Sequence, residues 1–123
     1  HMARCDVTAG VDGAEFRRFV AFLDAHPDIW VKVSCPDRLT VAGPPYDDVV
    51  PLARALVERF STRVLWGTDW PHPNFAEWMP DDGELVDLIP RIAPTAALQQ
   101  ALLVDNPMRL YWPEDVAGAA SAG

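Results

Sequence analysis

The sequence predicts an α/β protein built around a parallel sheet. Two short runs rich in β-branched and aromatic residues, 29–35 and 64–69, are too short for buried helices and are bounded by turn formers, so they are expected as strands. Helical apolar periodicity precedes, separates and follows them. The resulting order of helix, strand, helix, strand and further helices is the one that βα units produce. With 123 residues and half of them apolar, the chain suits one domain and is no disordered acidic tail.

Each element has a local reason. Asp12 is expected to cap a first helix, with Glu15 three residues on to return a capping bond. Phe16, Phe19, Val20 and Leu23 form its apolar face, and the helix must end before His26-Pro27, because a residue preceding proline is driven out of helical geometry. The strand at 29–35 is expected to be buried on both faces apart from Lys32. A loop at 36–45, holding Arg38 and Gly43, is long enough to suggest function rather than connection alone. Asp47 or Asp48 is expected to cap a second helix with Pro51 in its first turn and Val49, Leu52, Ala53, Leu56, Val57 and Phe60 facing inward.

A tight turn at 61–63 leads into the second strand, which ends in the carboxylate of Asp69; Trp70-Pro71-His72-Pro73-Asn74 then forms a rigid loop that cannot continue it. Helices follow at 84–92, with Leu85, Leu88 and Ile89 on one side, and after a Thr95 cap, with Leu98, Leu102 and Leu103. Asn106-Pro107 is expected to start a last short helix, with Asn as cap. Residues 1–114 therefore form the folded part and 115–123 a disordered tail. Two parallel strands are too few for a stable sheet, so either another copy or the rest of a larger fold must complete it.

Ten basic against eighteen acidic side chains, a net charge of −8, argue against a nucleic-acid or anionic-membrane partner. No stretch reaches the roughly 18 consecutive apolar residues of a membrane span. Cys5 and Cys35 are too few for a disulfide framework, and the absence of a secretory signal gives a cytoplasmic expectation.

In parallel α/β folds ligands bind at the carboxyl ends of the strands, which singles out Arg38 and the Asp69-Trp70-Pro71-His72 group. Asp69 is either a general base, partly desolvated at the end of an apolar strand, or the cap of the following turn. Arg38 offers a planar fork that suits a carboxylate, or is a solvated loop residue. His72, fixed between two prolines, is either a ligand-binding group at that mouth or structural. His1, His26 and His72 show no i, i+4 pair and there is no Cys-x-x-Cys, so a zinc ligand set is not expected. Cys35 reads as a small core residue rather than a thiolate.

The run Val64-Leu65-Trp66-Gly67-Thr68-Asp69-Trp70-Pro71-His72-Pro73 resembles the last barrel strand of the amidohydrolase-2 family, and Asp105-Asn106-Pro107-Met108-Arg109-Leu110-Tyr111 resembles its C-terminal signature. More narrowly, residues 30–39, the Gly43-Pro44-Pro45 loop and 79–83 are similar to 2-pyrone-4,6-dicarboxylate lactonases of aromatic catabolism. The resemblance runs to about Glu114 and covers only the last part of the family's barrel.

It implies the C-terminal portion of a (β/α)₈ TIM barrel, hydrolysis of a cyclic pyrone dicarboxylate to 4-oxalomesaconate, and no divalent metal or other cofactor. By the same resemblance Asp69 is the general base and Arg38 holds a substrate carboxylate. The family's His-Met-Gly-Arg segment lines up with His1-Met2-Ala3-Arg4, so that His1 is either the active-site histidine or a residue ahead of a start at Met2, and Arg4 is a second carboxylate clamp. His72 is a further substrate-binding candidate.

The family's first-strand His-x-His motif and roughly half of a barrel that takes about 250 residues are absent. The isolated chain is therefore expected to be inactive, with a homo-oligomer or a missing N-terminal half as its partner. The alternative is a non-catalytic, self-associating module. A metal-dependent hydrolase ranks lower, because Asp69 would be its one recognisable ligand.

Overall fold

The computed structural model of the chain describes residues 1–73 and 78–115. Its centre is a pair of parallel strands, β1 (Val31–Ser34) and β2 (Val64–Gly67), in the register Val31↔Val64 to Ser34↔Gly67. Val31, Val33 and Ser34 of β1 are buried while Lys32 is exposed, as its lone charge in an apolar run requires. Both strands are shorter than the apolar runs that form them. Cys35 (φ 54°) and Asp69 (φ 70°) take left-handed backbone conformations, which no strand can continue through.

Helix α1 (Ala14–Ala25) buries Phe16 and Leu23. Helix α2 (Val50–Arg59) crosses between the strands and buries Leu52, Ala53, Leu56 and Val57. These side chains join Val31, Val33, Tyr46, Val49, Phe60 and Val64 in one core cluster. Burial of this kind supplies about 1.5–3 kcal/mol for each large side chain removed from water. After β2 come α3 (Asp82–Asp87), α4 (Ile89–Ile92) and α5 (Ala96–Gln100), and a π-type turn at Ala101–Asp105 joins α5 to α6 (Asn106–Tyr111). Among the described residues no helix is long and apolar enough to cross a membrane.

Several expected caps are absent. Gly13, not Asp12, precedes α1, and Glu15 accepts from the Asp6 backbone N–H at 3.1 Å instead of closing a capping box. Neither Asp47 nor Asp48 caps α2, which starts after Val49 without a side-chain cap. Asp48 instead binds Thr40 Oγ1 and the N–H groups of Val41 and Ala42, shaping the loop, while Asp47 pairs with Arg91. The helix expected over 84–92 is two helices meeting at Leu88, and its start is capped by Asp81, which accepts from the N–H groups of Gly83 and Glu84. The Thr95 cap forms, accepting from Leu98 N–H at 3.2 Å.

Asn106 does not cap α6. Its side chain is fully buried, and Nδ2 donates to the carbonyls of Ser61 and Val64, both at 2.8 Å, tying the last helix to the start of β2. Arg63 plays a comparable part at the other helix: Nη2 donates to Leu23 O at 2.6 Å and Nη1 to His26 O and Ile29 O, adding a cationic donor to carbonyls at and just beyond the C-terminal end of α1. The disordered tail expected at 115–123 lies outside the described residues except for Asp115, and Asn74 of the rigid loop lies outside them too.

Candidate active site

The parallel register ends both strands at one edge, so the residues that follow Ser34 and Gly67 emerge side by side. After β1 the left-handed Cys35 turns the chain into a 3₁₀ turn, Pro36–Arg38, which carries Arg38 back over the strand ends. After β2 the left-handed Asp69 turns its carboxylate towards the same place, and the following residues fold back so that His72 N–H donates to Asp69 O at 2.8 Å. The N-terminal turn lies against β1 and delivers His1. Left-handed conformations at non-glycine residues cost about 1–3 kcal/mol each, and they cluster here at Cys35, Asp69 and His72.

Three charged or ionisable side chains meet. Arg38 Nη2 donates to Asp69 Oδ2 at 2.8 Å and to the Pro73 carbonyl at 2.9 Å. His1 Nε2 stands 3.6 Å from Asp69 Oδ1, so the carboxylate has a cation on one oxygen and an imidazole beside the other. Side-chain exposures of 30% for His1, 18% for Arg38 and 23% for Asp69 make the cluster half-buried yet reachable by solvent. His1 Nδ1 is hydrogen-bonded to Ser34 Oγ at 2.7 Å, and Cys35 Sγ lies 3.7 Å from Nε2.

Burial, followed by the Asp69 carboxylate, pushes the Cys35 thiol up to about 12, so it is protonated in ordinary solution. Next to the cluster, burial raises the Asp37 carboxyl, and among the described residues neither of its buried oxygens has a hydrogen-bond partner, nor has the buried hydroxyl of Tyr46.

Sequence reasoning placed Asp69, Arg38 and His1 at a site, and the structure brings these three together. The His72 backbone adjoins Asp69, but its side chain is 3% exposed and its Nε2 is bonded to Asp82 Oδ1 at 3.0 Å, so it braces the turn that carries Asp69 against the start of α3. Arg4 is exposed; its backbone N–H donates to the His1 carbonyl at 2.9 Å, but no described hydrogen bond or ion pair joins its side chain to the cluster. Ser34 and Cys35 were missed as site residues because they close an apolar run. The available signal was their position, at the carboxyl end of a parallel strand.

Among the described residues His1, Cys35 and Asp69 are the side chains of metal-ligand type that gather closely, with donor atoms within 4.8 Å of one another. The expectation of Asp69 as a lone recognisable ligand is thus too narrow. As the structure stands, Arg38 occupies Asp69 Oδ2 and the buried Cys35 sulfur lies 3.7 Å from His1 Nε2, so the trio is held together by its own polar contacts.

The sequence model of a family described as Amidohydrolase matches residues 1–112. The chain belongs to the amidohydrolase family. Among curated proteins, this amidohydrolase chain is 64% identical to a 2-pyrone-4,6-dicarboxylate hydrolase of Comamonas testosteroni, an alignment covering 94% of the chain and 41% of that protein. It is 46% identical to a 4-sulfomuconolactone hydrolase of Rhizobium radiobacter, over 90% of the chain and 38% of the relative.

Among solved structures, the amidohydrolase chain superposes with a TM-score of 0.72 on a probable 2-pyrone-4,6-dicarboxylic acid hydrolase from Acinetobacter baumannii with citric acid bound. That match is at 25% identity and covers 89% of this chain and 41% of the other. The chain thus spans about two fifths of the length of the relatives it matches.

Proposed function

We propose that this chain supplies the general base and one carboxylate-binding arginine of a lactone hydrolase acting on a carboxylated ring such as 2-pyrone-4,6-dicarboxylate, as the C-terminal portion of a (β/α)₈ barrel. The observation that carries this reading is the meeting of His1, Arg38 and Asp69, far apart in sequence, at the ends of both parallel strands. The likeness to hydrolases of two different lactones supports it.

Asp69 removes a proton from water as the oxygen attacks the lactone carbonyl. A ring N–H of His1 stabilises the oxyanion of the tetrahedral intermediate, and its collapse breaks the ring C–O bond while the proton held by Asp69 passes to the departing oxygen. Arg38 binds a substrate carboxylate, and Arg4 does so once the rest of the barrel closes over it. Arg38 also holds the Asp69 carboxylate in place, 2.8 Å from Oδ2, and leaves Oδ1 on the side of His1. A neutral pocket would admit a dicarboxylate poorly against a net charge of −8, so these arginines are where an anion gains most. A barrel of this kind takes about 250 residues, so turnover is expected to need more of the barrel than the two fifths of its relatives' length that this chain spans.

The test is a chimera in which residues 1–112 replace the matching part of the Comamonas hydrolase, assayed spectrophotometrically for ring opening of 2-pyrone-4,6-dicarboxylate. The chimera is expected to be active and Asp69→Asn to lose at least about 10²-fold in turnover, the usual contribution of a general base. A folded, inactive chimera, or full activity in Asp69→Asn, rejects the reading.

A second reading, self-association or pairing through uncovered surface, is favoured by exposed Val41, Trp70, Trp78, Met79, Leu103, Val104, Tyr111 and Trp112. Light scattering after size-exclusion chromatography tests it; a clean monomer removes it.

A further inference from the structure

We infer that Ser34 is a positioning residue that fixes the tautomer of His1, donating its hydroxyl proton to Nδ1 so that Nε2–H faces Asp69 and Cys35. Its value to lactone hydrolysis rests on the function proposed above; the hydrogen-bond assignment does not.

The two ring nitrogens of His1 have unlike surroundings. Nδ1 meets Ser34 Oγ at 2.7 Å, a distance typical of a strong hydrogen bond, and Ser34 is 3% exposed at the last position of β1. A hydroxyl can donate or accept, so this contact alone permits either proton placement. The other nitrogen decides. Nε2 stands 3.6 Å from Asp69 Oδ1, a carboxylate oxygen whose partner atom is neutralised by Arg38, and 3.7 Å from the sulfur of Cys35.

A bare nitrogen lone pair turned towards a carboxylate is repelled, whereas an N–H there is attracted, so the neutral ring carries its proton on Nε2. Nδ1 is then an acceptor, and Ser34 must donate to it. The polar hydrogens of Ser34, His1 and Arg38 thereby have a direction: Ser34 O–H to Nδ1, Nε2–H towards Asp69 and the sulfur, and Arg38 N–H to the other oxygen of Asp69. The ring presents a donor beside the base, where an oxyanion would form, without first having to be charged. A histidine held in the opposite tautomer would offer that oxyanion a lone pair. Ser34 and His1 are 33 residues apart, so the strand end rather than local sequence sets the ring's chemistry.

The experiment uses the chain itself, labelled with ¹⁵N in its histidine rings, and two-bond ¹H–¹⁵N correlation spectra at about pH 9, well above the ordinary imidazole pKa of about 6.5. With three histidines in the sequence, His1→Gln assigns the signal. The expected wild-type pattern is a protonated-type Nε2 and a bare-type Nδ1. In Ser34→Ala the separation between the two shifts shrinks as the tautomers mix, and Ser34→Thr, which keeps the hydroxyl, restores it. A bare Nε2 in the wild type, or an unchanged pattern in a folded Ser34→Ala, overturns the assignment. Should Ser34→Ala fail to fold, the wild-type spectrum decides by itself. Failure of the chimera assay leaves these spectra unaffected, so the two proposals fail separately.

Discussion

Asn106 offers the sharpest quantitative check on how the last helix secures the strand that carries the candidate base. Its side chain is fully buried, and Nδ2 donates to Val64 O in the interior and to Ser61 O nearer the surface, both at 2.8 Å, while Oδ1 accepts from Arg109. Replacing it with Leu removes both donors. A neutral hydrogen bond contributes about 1 kcal/mol net, and a buried carbonyl left unmet adds about 1–3 kcal/mol. The Val64 carbonyl should take the larger penalty and the Ser61 carbonyl little, for a total loss of about 3 kcal/mol. At about 4 °C per kcal/mol for a chain of this size, the melting temperature falls by about 12 °C.

Asn106→Asp separates donor from shape: it keeps the volume and the Arg109 contact but turns a carboxylate oxygen towards two carbonyls, and should be at least as damaging at neutral pH. Urea and thermal unfolding followed by circular dichroism measure both variants. A loss below about 1 kcal/mol in Asn106→Leu, or an Asp variant close to wild type, would refute the account.

Two further outcomes follow from the same structure. Arg63→Ala leaves the carbonyls of Leu23, His26 and Ile29 without their cationic donor and should cost about 2 kcal/mol in urea unfolding, with hydrogen exchange rising first at the end of α1; uniform exchange across the chain would contradict the clasp. Because burial raises the Asp37 carboxyl above its ordinary 3.8, its contribution to stability is present below that pH and is lost as pH rises through the folded value. Asp37→Asn should therefore be more resistant to urea than wild type at pH 7, the advantage shrinking as pH falls through the raised folded value and gone below about 3.8; a gap independent of pH would show that burial does not raise this carboxyl.

The strands, the helix faces and the exposed Lys32 were legible because periodicity reports burial directly: Val31, Val33, Leu52 and Leu56 point where their spacing puts them. Caps were less legible, because an acidic residue before an apolar run has other suitors. Glu15 was taken by the Asp6 backbone, Asp48 by the loop at 40–42 and Asp47 by Arg91, pairings that depend on folds of the chain no local window contains. Asn106 looked like a cap for the same reason and proved to be an interior clasp. At the site, Asp69 and Arg38 announced themselves as charges just beyond apolar runs. Ser34 and Cys35 were hidden by belonging to one, and their chemistry exists only through His1, more than thirty residues away.

The left-handed turn at Asp69 also governs which variants give interpretable results. Asparagine and aspartate accept that backbone region far more readily than other side chains with a Cβ. Asp69→Asn therefore removes the charge while the turn keeps its shape. Asp69→Ala or Asp69→Val would move the backbone as well, and a loss of turnover in either would report on chain direction as much as on proton transfer. The same holds one strand away at Cys35, where φ is 54° and a β-branched replacement would disturb the ring it faces before any question about its sulfur could be asked.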